Sequence, residues 1–220
     1  MLNEGLNVGF NPMSVRISSL RRESGFTLLE TVVVVGIVGV LAVVAVPLFG
    51  NAIANFRLSG DARSVSNAIS VAKMRAASDF SRVRLYVDLT GKTHHIESLD
   101  KTTTPPHWTT EGGSSYLSQG VSFSYGAVTT APPNTQATIG MGTSASTPKC
   151  TTDAGVDIGG TACIMFNSRG VPIDASGAPI GTDGLYLTDG SAVNAVTVAA
   201  TGMVKSWRTL PVATPSWSLQ

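Results

Sequence analysis

"RRESGFTLLETVVVVGIVGVLAVVAVPLFG", Arg21 to Gly50, decides how the rest of the chain is read. From Phe26 to Phe49 its only charge is Glu30. At about 1.5 Å rise per residue such a run spans a hydrocarbon core of about 30 Å, so it reads as a transmembrane helix. Arg16, Arg21 and Arg22 precede it and no comparable apolar run follows. That asymmetry sets a single pass, with the N-terminus cytoplasmic and the C-terminal domain outside.

An ordinary secretory signal places its apolar core before a small-residue cleavage site, and the core is lost with the signal. Here the small residue, Gly25, stands between the basic segment and the apolar run, so a cut after it spares the membrane helix. This order of parts, with "GFTLLE" and Pro47, resembles the class III signal of type IV pilins and type II secretion pseudopilins. The shared features are Gly25, aromatic Phe26, Thr27, two leucines, Glu30 as the fifth residue after the cut and Pro47 as the twenty-second. The resemblance implies cleavage between Gly25 and Phe26 by a membrane-embedded prepilin peptidase, which also N-methylates Phe26. Met13 opens "MSVRISSLRRESG", a shorter leader more usual for the family, so both Met1 and Met13 stand as starts.

A charged Asp on a lone membrane helix costs about 2.5–3.5 kcal/mol at mid-bilayer on insertion scales, and Glu is similar in kind, cheaper near the interface. Such residues usually serve a partner. The resemblance implies that Glu30 meets the charged Phe26 amino terminus of a neighbouring subunit, which fixes axial register, because a slipped subunit leaves one charge buried and alone. The plain alternative is an interfacial Glu without a partner. Pro47 removes a backbone donor and should kink or loosen the helix. Gly36 and Gly39 lower helicity while permitting close helix approach, or face lipid without a role.

The rest of the chain suits one anchored domain of ordinary size. Only 13% of residues are charged and 43% are hydrophobic. Without residues 1–25 the counts fall from 15 basic and 14 acidic residues to 12 of each, so nothing global draws the head to nucleic acid or anionic lipid. Cys150 and Cys163 are too far apart for a CxxC motif and have no second pair for zinc. In an oxidising compartment a disulfide between them ties down a Gly/Thr-rich loop; two free thiols are the alternative.

The expected organisation is a leader at 1–25, a transmembrane helix segment at 26–49, an amphipathic helix segment at 50–79 and a β-rich globular head at 80–220. Ile53, Phe56, Val65, Ile69, Ala72 and Ala76 recur at helical spacing and should face the head. Arg57, Arg63, Lys73, Arg75, Arg82 and Arg84, against Asp61 and Asp79, read as a solvated face. "RVRLYVDLTGKTHHIESL" reads as a hairpin turning near Thr90, Gly91 and Lys92, and "GVSFSYGAV", 120–128, as a further strand. From Pro132 to Gly160 no period holds. "ACIMF", 162–166, reads as a buried strand closed by an "NSRG" turn, and "GLYLTDG" with "AVNAVTVAATGMVKSWR" supplies three more. A long helix followed by short strands gives an α+β class, with the helix packed on an antiparallel sheet. The order is similar to the GspH/FimT branch of the pilin family, through "FNSRG", "LYLTDG" and the Gly202-Met203-Val204-Lys205 hairpin end.

No catalytic residue emerges. His94 and His95 are adjacent and face opposite sides of a strand, so they cannot share a metal, and His107 stands apart. "GMGTSA", 140–145, lacks the strand and helix that a phosphate-binding loop needs. Asp153, Asp157, Asp183 and Asp189 sit in Gly-rich stretches where turn formation is commoner than calcium binding. No enzyme, metal or cofactor is expected. The resemblance implies a structural filament subunit in a type IV pilus or type II secretion system. It would wait in membrane lipid, in the bacterial inner membrane with a periplasmic head, then join other pilins or pseudopilins through an inner-membrane assembly platform. Some FimT-like pilins bind DNA near the final hairpin, which makes Lys205 and Arg208, with Trp207 as a stacking surface, the alternative.

Overall fold

The computed structural model describes residues 25–136, 139 and 147–220. Apart from Gly25, the leader lies outside these residues, as do the "GMGTSA" loop and the remainder of the long aperiodic stretch between 136 and 147. By its contacts the chain divides into residues 1–46 and 47–220, so Pro47, itself in helical backbone, opens the second unit.

Helix α1 runs Leu28–Ser78. Four consecutive valines, Val32 to Val35, are mediocre helix formers in water. Inside a bilayer the choice changes, because backbone groups must be satisfied within the segment and a helix does so. The window Leu28–Val46 is long and apolar enough to cross a membrane, and none of it is buried within the chain.

In the second unit the buried stripe of α1 is Leu58, Ala62, Val65, Ile69, Ala72 and Ala76, alternating steps of four and three. The expected Ile53 and Phe56 do not join it, being 47% and 78% exposed. Phe56 and Leu58 are roughly 200° apart around the helix, so one set of side chains excludes the other. Leu58 starts the core.

After α1 the chain forms β1 (Val83–Asp88), β2 (Thr93–Asp100), β3 (His107–Tyr116), β4 (Ser122–Phe123), β5 (Thr161–Phe166), β6 (Pro172–Ile173), β7 (Thr182–Thr188), β8 (Val193–Ala199), β9 (Val204–Thr209) and β10 (Ser218–Leu219). They make two five-stranded sheets, β3-β2-β1-β5-β6 and β10-β9-β8-β7-β4. Every strand pairing among the described residues is antiparallel. Val83, Leu85 and Val87 of β1, Ala162, Ile164 and Phe166 of β5, Leu185 and Leu187 of β7, and Val196 and Val198 of β8 share one buried cluster with the α1 stripe. The class is α+β, an N-terminal apolar helix followed by antiparallel sheets.

Two strand expectations change. "GVSFSYGAV" contributes only Ser122–Phe123, because Gly120 and Gly126 take positive φ and turn the chain on both sides. Conversely β3 has no clean alternation and two glycines at its centre, yet pairs with β2 as a largely exposed edge, its register shifting between His94 and Ile96. At the β8–β9 turn Gly202 has φ +72°, and a Cβ there would meet Gly170 O at 2.8 Å and Lys73 Nζ at 2.9 Å. Lys73 Nζ donates to Gly202 O at 3.0 Å, so the glycine lets the helix lysine seal the turn.

Candidate functional site

Among the described residues, nothing packs over the segment from Gly25 to Glu30. Space for a Cβ at Gly25 is unobstructed, and Phe26 is 79% exposed. Thr27 caps α1, its Oγ1 accepting the Glu30 N–H at 3.2 Å, and Thr31 Oγ1 donates to Leu28 O at 2.8 Å. This cap, a signal that the reading of "TLLE" did not use, places Glu30 in the first helical turn, where the helix dipole favours an anion. The Glu30 carboxylate is exposed and forms no ion pair among the described residues. Beyond it Val32 to Val46 present apolar side chains outward all round, and Gly36 and Gly39 have nothing within 4 Å of a Cβ position.

Lys205 and Arg208 do not come together. On β9 they stand on opposite faces: Lys205 Nζ lies 5.9 Å over the Trp207 ring, whereas Arg208 turns to α1, donating to Asn55 Oδ1 at 2.5 Å and Ser59 Oγ at 3.4 Å. Trp207 is half-buried against the outer cluster of Tyr186, Val193 and Ala195, its indole N–H donating to Thr197 Oγ1 at 3.1 Å. An odd separation along a strand imposes this split.

The supposed solvated basic face is also partly consumed. Asp61 is buried and accepts from Ser118 N and Oγ at 2.8 and 2.9 Å. Arg84 is 3% exposed and paired with Glu97, its guanidinium 3.9 Å over Trp108 and donating to Thr151 O at 2.8 Å. Burial lowers the Arg84 pKa while Glu97 opposes the shift. Next to this pair His95 stacks on Tyr86 at 4.7 Å and reaches Glu97 Oε1 at 3.1 Å. The Cys150–Cys163 disulfide, Cα atoms 4.9 Å apart, joins the loop before β5 to that same outer face, and Asp153 Oδ1 accepts the Trp108 N–H at 2.9 Å. The cluster clamps the loop to the sheet. It was not foreseen, yet the hairpin turn fixes its register, Arg84 opposite Glu97 and Tyr86 opposite His95.

His94 takes the other face of β2, buried, with Nε2 3.5 Å from Ser64 Oγ; burial pushes its pKa down, with nearby Asp61 opposing. Asp189 Oδ1 accepts from Ser191 and Ala192 backbone N–H groups, a turn-forming role. Asp183 is a correction: it lies within β7, not in a turn, and is 1% exposed. The neighbouring Gly181 and Gly184 gave it a turn-like setting in sequence. Among the described residues neither carboxyl oxygen has a hydrogen-bond partner, and burial raises its pKa to about 7. Among the described residues no group of three His, Cys, Asp or Glu side chains is placed to hold a metal ion.

Residues 20–46 match a family described as the prokaryotic N-terminal methylation motif. No curated protein and no solved structure matches the chain. The motif covers the capped start and apolar length of α1 up to Val46. It implies processing by a prepilin peptidase and assembly with other pilins, is consistent with inner-membrane anchoring, and marks structural subunits, which are usually non-enzymatic. Motif and helix together support the type IV pilin and pseudopilin family for this chain.

Proposed function

We propose that the chain is a minor-type, GspH/FimT-like pilin or pseudopilin, cut after Gly25, methylated at Phe26 and assembled by an inner-membrane platform into a pilus or secretion filament. The observation that carries this reading is an apolar helix with no burial of its own, opened by a methylation motif and an exposed Glu30. In membrane lipid the helix waits; in a filament other helices replace the lipid. Glu30 then pairs with the Phe26 amine of a neighbour, and each ion compensates the other's burial. Pro47 loosens α1 at the boundary between the two units, with Gly36 and Gly39 admitting close neighbours.

Mass spectrometry of protein from its native host tests the processing: the expected N-terminus is methylated Phe26. Gly25→Ala should accumulate uncleaved precursor. Glu30→Ala should be cleaved normally yet lost from sheared filaments, and normal incorporation of that variant would sink the proposed pairing.

A further inference from the structure

We propose that the groove beside Asn55 and Arg208 in the second unit is a phospholipid-binding surface, where Leu210 and Val212 enter the bilayer interface and Arg208 takes a lipid phosphate. The proposal rests on reading the apolar run that ends at Phe49 as a membrane anchor. Its site lies wholly within the second unit: a groove of about 600 Å³ lined by Ala54, Asn55, Asp189, Arg208 and Leu210 among others. Leu210 is 63% and Val212 43% exposed, in the segment that follows β9. Arg208 shares the groove lining with Leu210 and is oriented by Asn55 and Ser59. A guanidinium carries five N–H donors, and two bonds to neutral acceptors leave others free for a phosphate.

The chain itself names the occupant. The apolar run of α1 ends at Phe49, and six residues of helix to Asn55 rise about 9 Å. The headgroup layer on each side of a bilayer is about 5–8 Å deep, so a tethered groove at Asn55 meets it within the reach of an arginine side chain. Arg57, exposed on the same turn, adds a second cation. Of the nearby carboxylates, Asp61 is bound by Ser118 away from the groove lining, and Asp189, an anion in that lining, directs Oδ1 into its own turn, so Arg208 and Arg57 face one negative charge. Apolar side chains flanked by cations are what an interfacial surface requires. The global charge balance conceals this local arrangement.

The test uses full-length protein with a nitroxide on Val212→Cys, in nanodiscs of phosphatidylethanolamine and phosphatidylglycerol, in nanodiscs of a phosphate-free galactolipid, and in maltoside detergent. The readout is accessibility to a water-soluble nickel chelate. Labels on Val38→Cys and Ser168→Cys report the anchor and the "NSRG" turn. Severalfold protection at position 212 is expected in phospholipid alone, and Arg208→Gln should abolish it while Arg208→Lys keeps most of it. A lipid-immersed label at 38 with an equally exposed label at 212 in all three media overturns the surface and leaves the anchor standing. A water-exposed label at 38 overturns the anchor and the proposal together. Equal protection in galactolipid, or in Arg208→Gln, overturns the phosphate contact.

Discussion

Between Leu28 and Val46, α1 presents apolar side chains in every direction and none of that window is buried; between Leu58 and Ala76 they recur in steps of four and three and are at most 4% exposed. One stretch is hydrophobic by composition, the other by pattern. Composition without pattern asks for a solvent, and lipid or a bundle of other helices answers it. Pattern asks for a partner of matching shape, and here two sheets of the same chain supply it. A substitution in the first stretch should therefore be felt in the membrane, and one in the second in the folding of the head.

The contrast breaks most sharply at Ile69. Ile69→Asp places an unpaired charge in the core and should destabilise the head by more than about 4 kcal/mol, read as loss of the cooperative thermal transition while the chain still fractionates with membranes. A head that melts normally would mean that the stripe is not the keel of the fold.

Asp183 sharpens the comparison within the core. Its carboxyl carries a folded pKa of about 7 against an ordinary value of 3.8, so the folded state retains a proton that the unfolded chain releases. Stability therefore falls as pH rises between those values and levels off above about 7. Asp183→Asn should remove this slope, giving denaturation midpoints that match the parent near pH 4 and exceed it at pH 8 by on the order of 4 kcal/mol. Parallel pH profiles for the two proteins would place a compensating partner on that carboxylate.

The disulfide should matter by a smaller amount. Cys150→Ser with Cys163→Ser should lower head stability by roughly 2–4 kcal/mol and raise proteolysis between 147 and 160, because the Arg84 clamp alone then holds the loop. Denaturation with and without the bridge, alongside limited proteolysis, measures both. At the small end, Val35→Ala, with its side chain 70% exposed, should shift the head's midpoint by under about 0.5 kcal/mol. A larger shift would show that the anchor packs on something within its own chain.

The anchor was the most legible part. The charge-free run from Thr31 to Phe49 carries its meaning in linear order, as a membrane rewards length and composition rather than contacts. The first hairpin was legible for a similar reason, since a turn at Thr90–Lys92 dictates its register. The edge strand β3 was not: its pairing with β2 supplies the order that "TTEGGSS" lacks. Phe56 misled because a helical period fixes a face only once the first buried residue is known, and Leu58 is that residue. Lys205 and Arg208 looked like neighbours in sequence, yet strand geometry sends one to Trp207 and the other to Asn55.

Sequence alone determined the membrane-length helix, the methylation motif that opens it and the α+β class, because these follow from local order, hydrophobic length and turn chemistry. Only tertiary structure decided that two sheets share the helix stripe, that Arg84 and Glu97 clamp a disulfide-tied loop, and that Asp183 is buried without a partner. Each of these depends on residues far apart in the chain meeting in a low-dielectric interior, where the free energy of a charge is set by its neighbours.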